Sequence, residues 1–208
     1  MTGLKGWLLS KLKPEKSGIA WEVERETSVQ DACFVVFDTE TTGIDLKKDE
    51  PISIGAVKIE KLRIDLSKSF YALIKPTKSY GESIKVHGIT PQDLEKAKDR
   101  REVCMEFLDY AKGCILSGYF VHLDVAMLKK LTKESCNEQP NFRTLDLLDM
   151  LERKDNIPTM EELLKSNKMP VSNLHNALED AYMTALLLLK FLKEGRYSKV
   201  KDIPLKTL

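Results

Sequence analysis

The chain has 208 residues, 42% hydrophobic and 31% charged, with a formal net charge of +1. That apolar content fits one folded domain with a sizeable core. The near balance of charge excludes an overall basic field for nucleic acid, so an anionic partner must meet a local basic patch or a metal.

Residues 1–30 read as a leader, with an amphipathic piece (Leu4, Trp7, Leu8 and Leu12 beside Lys5, Lys11 and Lys13) followed by polar sequence. Its apolar stretch Gly6-Trp7-Leu8-Leu9 is too short for a signal peptide, and no small-residue cleavage site follows. No run is long enough to span a bilayer, so the chain is expected in the cytoplasm without a membrane contact. A first strand is expected over 33–38, a second over 52–59 and a third over 64–74, joined by short connections as an antiparallel meander. Thr90-Pro91-Gln92-Asp93 is a helix start, with Thr90 as N-cap and Pro91 in the first helical position. Val103, Phe107, Leu108 and Ala111 mark a helix near 100–112, and Cys114 to Gly118 a short buried strand. Helices are expected over 124–132, 144–151, 159–166 and 176–193, and residues 194–208 as a basic tail. Strands first, then alternating strand and helix, give an α/β domain with a mixed central sheet. Cys33, Cys104, Cys114 and Cys136 show no CxxC spacing, which suggests packed thiols in a reducing compartment and no disulfide framework.

Chemistry enters at Phe34-Val35-Val36-Phe37-Asp38-Thr39-Glu40-Thr41-Thr42-Gly43. A strand places residues i and i+2 on one face, so Asp38 and Glu40 point the same way off the end of a core strand. Two adjacent carboxylates resist joint ionisation, and a hard divalent cation removes the conflict. Asp124 follows a buried strand at a helix start, where a helix-capping aspartate is the ordinary explanation. Asp180, five residues after His175, sits in the first turns of a helix rich in Ala and Leu. An acid on a face of small residues is costly unless it is paired or metal-bound.

Taken together, Asp38-Thr39-Glu40-Thr41-Thr42-Gly43, then Asp124, then His175-x-Ala-x-x-Asp180 resemble the three motifs of the DEDDh 3′–5′ exonucleases. That group includes the epsilon subunit of bacterial DNA polymerase III, ribonuclease T and oligoribonuclease. The resemblance covers roughly residues 30–193, and Val86-His87-Gly88-Ile89-Thr90 resembles a loop of the epsilon-like members. It implies a ribonuclease H-like exonuclease fold, with a mixed five-stranded central sheet flanked by helices over residues 31–193. It also implies two divalent ions, Mg²⁺ or Mn²⁺, held by Asp38, Glu40, Asp124 and Asp180, with His175 as general base. An imidazole is the side chain whose proton equilibrium lies nearest neutrality. By the same resemblance, Thr41, Gly43, Ile44 and His87 would receive the 3′ end. The family often has His-Asn a few residues before its second aspartate, where this chain has Tyr119-Phe120. His122 is read as structural or as supporting the site from behind.

The implied activity is removal of nucleotides from single-stranded or frayed 3′ ends, with DNA favoured in a proofreading or repair role. An exoribonuclease acting on RNA ends or short oligonucleotides is the alternative, followed by a non-catalytic nucleic-acid-binding module. A polymerase contact is a further expectation. The short stretch after residue 193 favours a stand-alone enzyme, or one docked through its leader.

Overall fold

The computed structural model describes residues 21–78, 83–151, 156–171, 175–195 and 197–208; residues 1–20 of the expected leader lie outside this range. The strand β1, Cys33–Thr41, runs through the centre, and Phe34, Val35, Val36 and Phe37 are buried on both of its faces. A continuous apolar run of this kind is what a strand covered on both sides requires. It pairs antiparallel with β2, Pro51–Glu60. The expected third strand divides into β3, Arg63–Ile64, and β4, Phe70–Leu73, around a 3₁₀ turn at Leu66–Lys68. Asp65 starts that turn by accepting from the Ser67 N–H, and both short strands pair antiparallel with β2.

Helices α1, Ile84–His87, and α2, Pro91–Glu95, follow. Thr90 is the N-cap of α2 as expected, and Asp93 completes a capping box with it. Then come α3, Arg100–Ala111, the strand β5, Ile115–Gly118, and α4, Val121–Leu131, which begins three residues earlier than expected. Residues 144–151, expected as a helix, instead form β6, Arg143–Asp146, and a 3₁₀ turn at Leu147–Met150. Arg143-Thr144-Leu145-Asp146 is too short to display a strand period. Its extended state comes from parallel pairing with β5. Helices α5, Met160–Ser166, and α6, Ala177–Glu194, and the strand β7, Lys206–Thr207, complete the chain.

Among the described residues the sheet is mixed and seven-stranded, in the order β3-β2-β1-β5-β6-β7, with β4 on the same edge of β2 as β3. It exceeds the expected five strands by the two-residue β3 and β7. One face packs Val35, Phe37 and Leu116 against α3 and α4. The other packs Phe34, Val36 and Val57 against Ala185, Leu188 and Leu192 of α6. Residues 197–208, expected as a tail, fold back onto the domain: Val200 and Ile203 are buried, and β7 pairs with β6. At the other end Trp21 packs edge-on against Phe142 and donates from its indole to the Cys114 carbonyl. Among the described residues no helix is long and apolar enough to cross a membrane.

The four cysteines correct the expectation of free thiols. Cys33 is bonded to Cys114 and Cys104 to Cys136, 81 and 32 residues apart in sequence. The first pair follows from topology, since Phe34 and Ile115 are register partners at the starts of the parallel strands β1 and β5. Their preceding residues are thereby brought side by side, which sequence spacing does not display. Closed loops of these lengths stabilise by about 4 kcal/mol each in the chain-entropy account. A thiol reductant should therefore lower the unfolding midpoint strongly, and Cys104→Ser and Cys33→Ser should each reproduce part of that loss. An unchanged midpoint in reductant would show that the bridges do not contribute.

Candidate active site

The site is built at the end of β1, where side-chain alternation continues past the core. Phe34 and Val36 face α6, and Asp38 and Glu40 continue the same row. Gly55 is the register partner of Asp38 on β2. It has no side chain, and the first residues of α6 lie directly on it. A Cβ there would come within 2.1 Å of the Leu178 nitrogen and 2.3 Å of the Ala177 carbonyl carbon. This contact seats the N-terminus of α6 flush on the sheet. Asn176 caps it by accepting from the Leu178 and Glu179 N–H groups, and Asp180 stands in its first turn. Oxygens of Asp38, Glu40 and Asp180 consequently all lie within 4.8 Å of one another.

Asp124 reaches the site from the opposite face of the sheet. Its Oδ1 accepts from the Thr39 N–H at 2.9 Å and from the Thr39 Oγ1 hydroxyl at 2.7 Å. It is outside the three-carboxylate cluster but close enough that its charge acts on Asp38. Thr39 is a site residue that the sequence reading missed. The available signal was its place between the two acids, where alternation turns its side chain toward α4.

Electrostatically the set is under strain. Burial holds Asp38 well above the usual carboxylate range, with the charges of Asp124, Asp180 and Glu40 adding to it. Glu40 is raised to about 7 by burial and by Asp180. Asp124 is raised to about 7 by burial, against the lowering effect of its Thr39 bonds. Burial also raises Asp180, opposed by the His175 N–H and charge. Among the described residues Asp180 Oδ1 is buried without a hydrogen-bond partner, whereas its Oδ2 accepts from the His175 N–H at 2.9 Å. A partnerless buried oxygen amid oxygen-only donors and excess negative charge fits a hard divalent cation such as Mg²⁺ or Mn²⁺. The His175 backbone thus meets the cluster, while the residue itself is exposed.

The loop after β1 gathers the remaining expected residues. The pairing of β1 with β2 shifts register between Glu40 and Thr41, and the Thr41 hydroxyl donates to the Gly43 carbonyl at 2.6 Å. The Asp49 carboxylate closes the loop, accepting from the Thr42 hydroxyl and the Asp45 N–H. A side chain at Gly43 would strike that carboxylate at 2.5 Å. Ile44 is 99% exposed. His87 lies against the backbone of Thr41, which opposes the burial that lowers its pKa, and its Nδ1 accepts from the Ile89 N–H. Thr41, Gly43 and Ile44 thus follow Glu40 along the chain, and His87 is joined to them through the Thr41 backbone.

A family model described as Exonuclease, of the RNase T type, matches residues 35–188. With the acidic cluster on a ribonuclease H-like sheet, this places the chain in the DEDD exonuclease superfamily. It is 32% identical over 168 residues to the DNA polymerase III subunit epsilon of Aquifex aeolicus, covering 79% of this chain and 82% of that one. It is 30% identical over 195 residues to the PolC-type DNA polymerase III of Thermotoga petrophila. That likeness covers 92% of this chain but spans only 14% of the relative's length. Escherichia coli exonuclease I in complex with a dT13 oligonucleotide shares the fold at a TM-score of 0.65 and 21% identity, over 77% of this chain and 41% of that one.

Two outcomes are expected. Gly55→Ala should lift the start of α6 off the sheet and reduce nucleotide release at least tenfold while circular dichroism still reports a folded chain. A fully active, folded Gly55→Ala protein would show that the close approach is dispensable. The second concerns pH. A carboxyl group whose folded pKa is raised contributes stability that is present below the ordinary carboxylate range and is lost as pH rises through its folded value. For Glu40 and Asp124 that loss runs from about pH 4 to about 7. The metal-free protein should lose more stability over this interval than Glu40→Gln does, and Mn²⁺ should raise the melting temperature more at pH 8 than at pH 5.5. Parallel pH profiles for the two proteins would contradict the charge strain.

Proposed function

We propose that this DEDD-family 3′–5′ exonuclease is a metal-dependent enzyme that acts on the 3′ ends of DNA. The observation that carries this reading is the three-carboxylate cluster with the partnerless, buried Asp180 Oδ1. Asp38, Glu40, Asp124 and Asp180 would hold two divalent ions, Mg²⁺ or Mn²⁺. Bound there, the ions would supply Lewis-acid stabilisation of charge on the attacking and leaving oxygens. Asp38, raised by burial and by the charges of Asp124, Asp180 and Glu40, would be the ligand shared between the two ions. His175, exposed beside Asp180, would take the proton of the attacking water. Thr41 and the Gly43 backbone would receive the terminal 3′-hydroxyl, Ile44 would press on the last base, and His87 would contact the penultimate nucleotide. The Thr39 hydroxyl orients Asp124 and takes no proton.

The preference for DNA is supported by the likeness to the polymerase III epsilon subunit along most of its length. A proofreading or repair role and a polymerase partner rest on the same likeness. RNA is the competing substrate, because proteins distinguish the two at the 2′ position.

One assay separates these readings: labelled single-stranded DNA, a duplex with a mismatched 3′ end, and short RNA, each with Mg²⁺ or Mn²⁺. Mononucleotides should be released from the 3′ end, fastest from DNA. Asp38→Asn should cut the rate by roughly 10³-fold, about 4 kcal/mol of transition-state stabilisation, while raising the melting temperature of the metal-free protein. His175→Gln should cost about 10²- to 10⁴-fold. Faster release from RNA would overturn the substrate assignment, and full activity of Asp38→Asn would overturn the chemistry.

A further inference from the structure

The connection from β5 to α4 is two residues long, Tyr119 and Phe120. The Tyr119 hydroxyl donates to the Pro158 carbonyl. Phe120 adopts a left-handed conformation, with φ 55° and ψ 38°, and its side chain gives α4 no cap. Bulky residues are rare in this region because Cβ crowds the neighbouring carbonyl, whereas Asn and Gly tolerate it. A strained turn persists only where its surroundings over-determine it.

Here the surrounding group is Asp146, at the end of β6, which is 8% exposed. Its Oδ1 accepts from the Phe120 N–H at 3.2 Å, and its Oδ2 accepts from the Val121 N–H at 3.0 Å. Oδ1 also accepts from the Leu148 N–H at 3.0 Å, and His122 Nδ1 lies 4.0 Å from Oδ2. One carboxylate thus holds the left-handed peptide and the first N–H of α4, which would otherwise lack a partner at the helix start. Asp124 follows one turn later and is gripped from the sheet by Thr39. Phase and tilt of that single turn are fixed at both ends, by Asp146 behind and Thr39 in front.

We propose that Asp146 is a positioning residue of the acidic site. By holding the left-handed Phe120 turn it sets the start of α4 and delivers Asp124 to Thr39 and Asp38. The catalytic part of this inference rests on the exonuclease reading above. Phe120 is poorly suited to the left-handed region, so the burden of the turn falls on Asp146.

The test uses the full chain as wild type, Asp146→Asn, Phe120→Asn and the double variant. Metal-free amide hydrogen exchange at Phe120 and Val121, Mn²⁺ affinity by calorimetry, and kcat and KM for 3′ nucleotide release are measured well below each melting temperature. Asp146→Asn should speed exchange at both amides and weaken Mn²⁺ binding. It should lower kcat by about 10- to 100-fold, with KM changed less than twofold. Phe120→Asn should restore most of the lost Mn²⁺ affinity and kcat in the Asp146→Asn background by relieving the turn. Should Asp146→Asn fail to fold, Asp146→Ser, which keeps a shorter acceptor, is expected to give the same split between kcat and KM. A folded Asp146 variant with wild-type Mn²⁺ affinity and kcat overturns the proposal, as does a double variant with no recovery. A wild type that binds Mn²⁺ but releases no nucleotide refutes the exonuclease reading, and the exchange and Mn²⁺ measurements still judge the role of Asp146.

Discussion

The acidic site depends on backbone packed against backbone, the start of α6 lying on Gly55. No side chain separates the helix from the sheet at that point, so Asp180 can enter the row begun by Asp38 and Glu40. The same seating turns the N-terminal end of α6 toward these acids. The partial positive charge of a helix start offsets some of their repulsion. A larger residue at position 55 would lose both effects together, because the dipole and Asp180 travel with the same helix.

Against this stands the cost of gathering four carboxylates where water is scarce. Burial is the first cause of the raised pKa of each, and their mutual charge adds to it for Asp38, Glu40 and Asp124. Without a cation the set relieves itself by holding protons, so cation binding and proton release are linked. The scaffold withstands the strain because β1 is anchored just upstream. Phe34, Val35, Val36 and Phe37 are essentially fully buried, each contributing roughly 1.5–3 kcal/mol. Destabilising chemistry and the most stabilising packing occupy adjacent residues of one strand.

This arrangement explains what was legible in the sequence. Asp38 and Glu40 could be placed because period-two alternation along an apolar strand is local. Asp180 could be placed because an acid among Ala177, Ala181 and Thr184 conflicts with its own helix face. The Thr90 cap of α2 was legible for the same reason, since Thr90 and Pro91 are adjacent in sequence. What stayed hidden was non-local. Thr39 acquires its partner only when α4 is brought across the sheet to it. Gly55 matters only through the helix start that lies on it from far along the chain. The cysteines lacked a motif because β1 and β5 pair them, and Arg143-Thr144-Leu145-Asp146 became a strand through β5 rather than through its own pattern.

The loop beyond the acids carries an exposed apolar residue on a chain fastened on both sides. Ile44 faces solvent almost completely, yet the chain on either side is fastened. Asp49 holds one side, and Lys130 reaches the Lys47 and Asp49 carbonyls from α4. Glu50, 3% exposed, accepts from the Thr77 N–H and hydroxyl, the Lys78 N–H and Arg100. A buried carboxylate is tolerated only with such complete pairing, and removing one partner costs more than the pair contributes. The pairing is therefore better understood as fixing geometry than as adding stability. An isoleucine on a braced loop beside the acids loses little further entropy when a flat apolar surface meets it. Under the proposed function that property would suit a stop for the last base of a strand, and it would follow from the bracing of Thr42, Asp49 and Glu50 rather than from Ile44 itself.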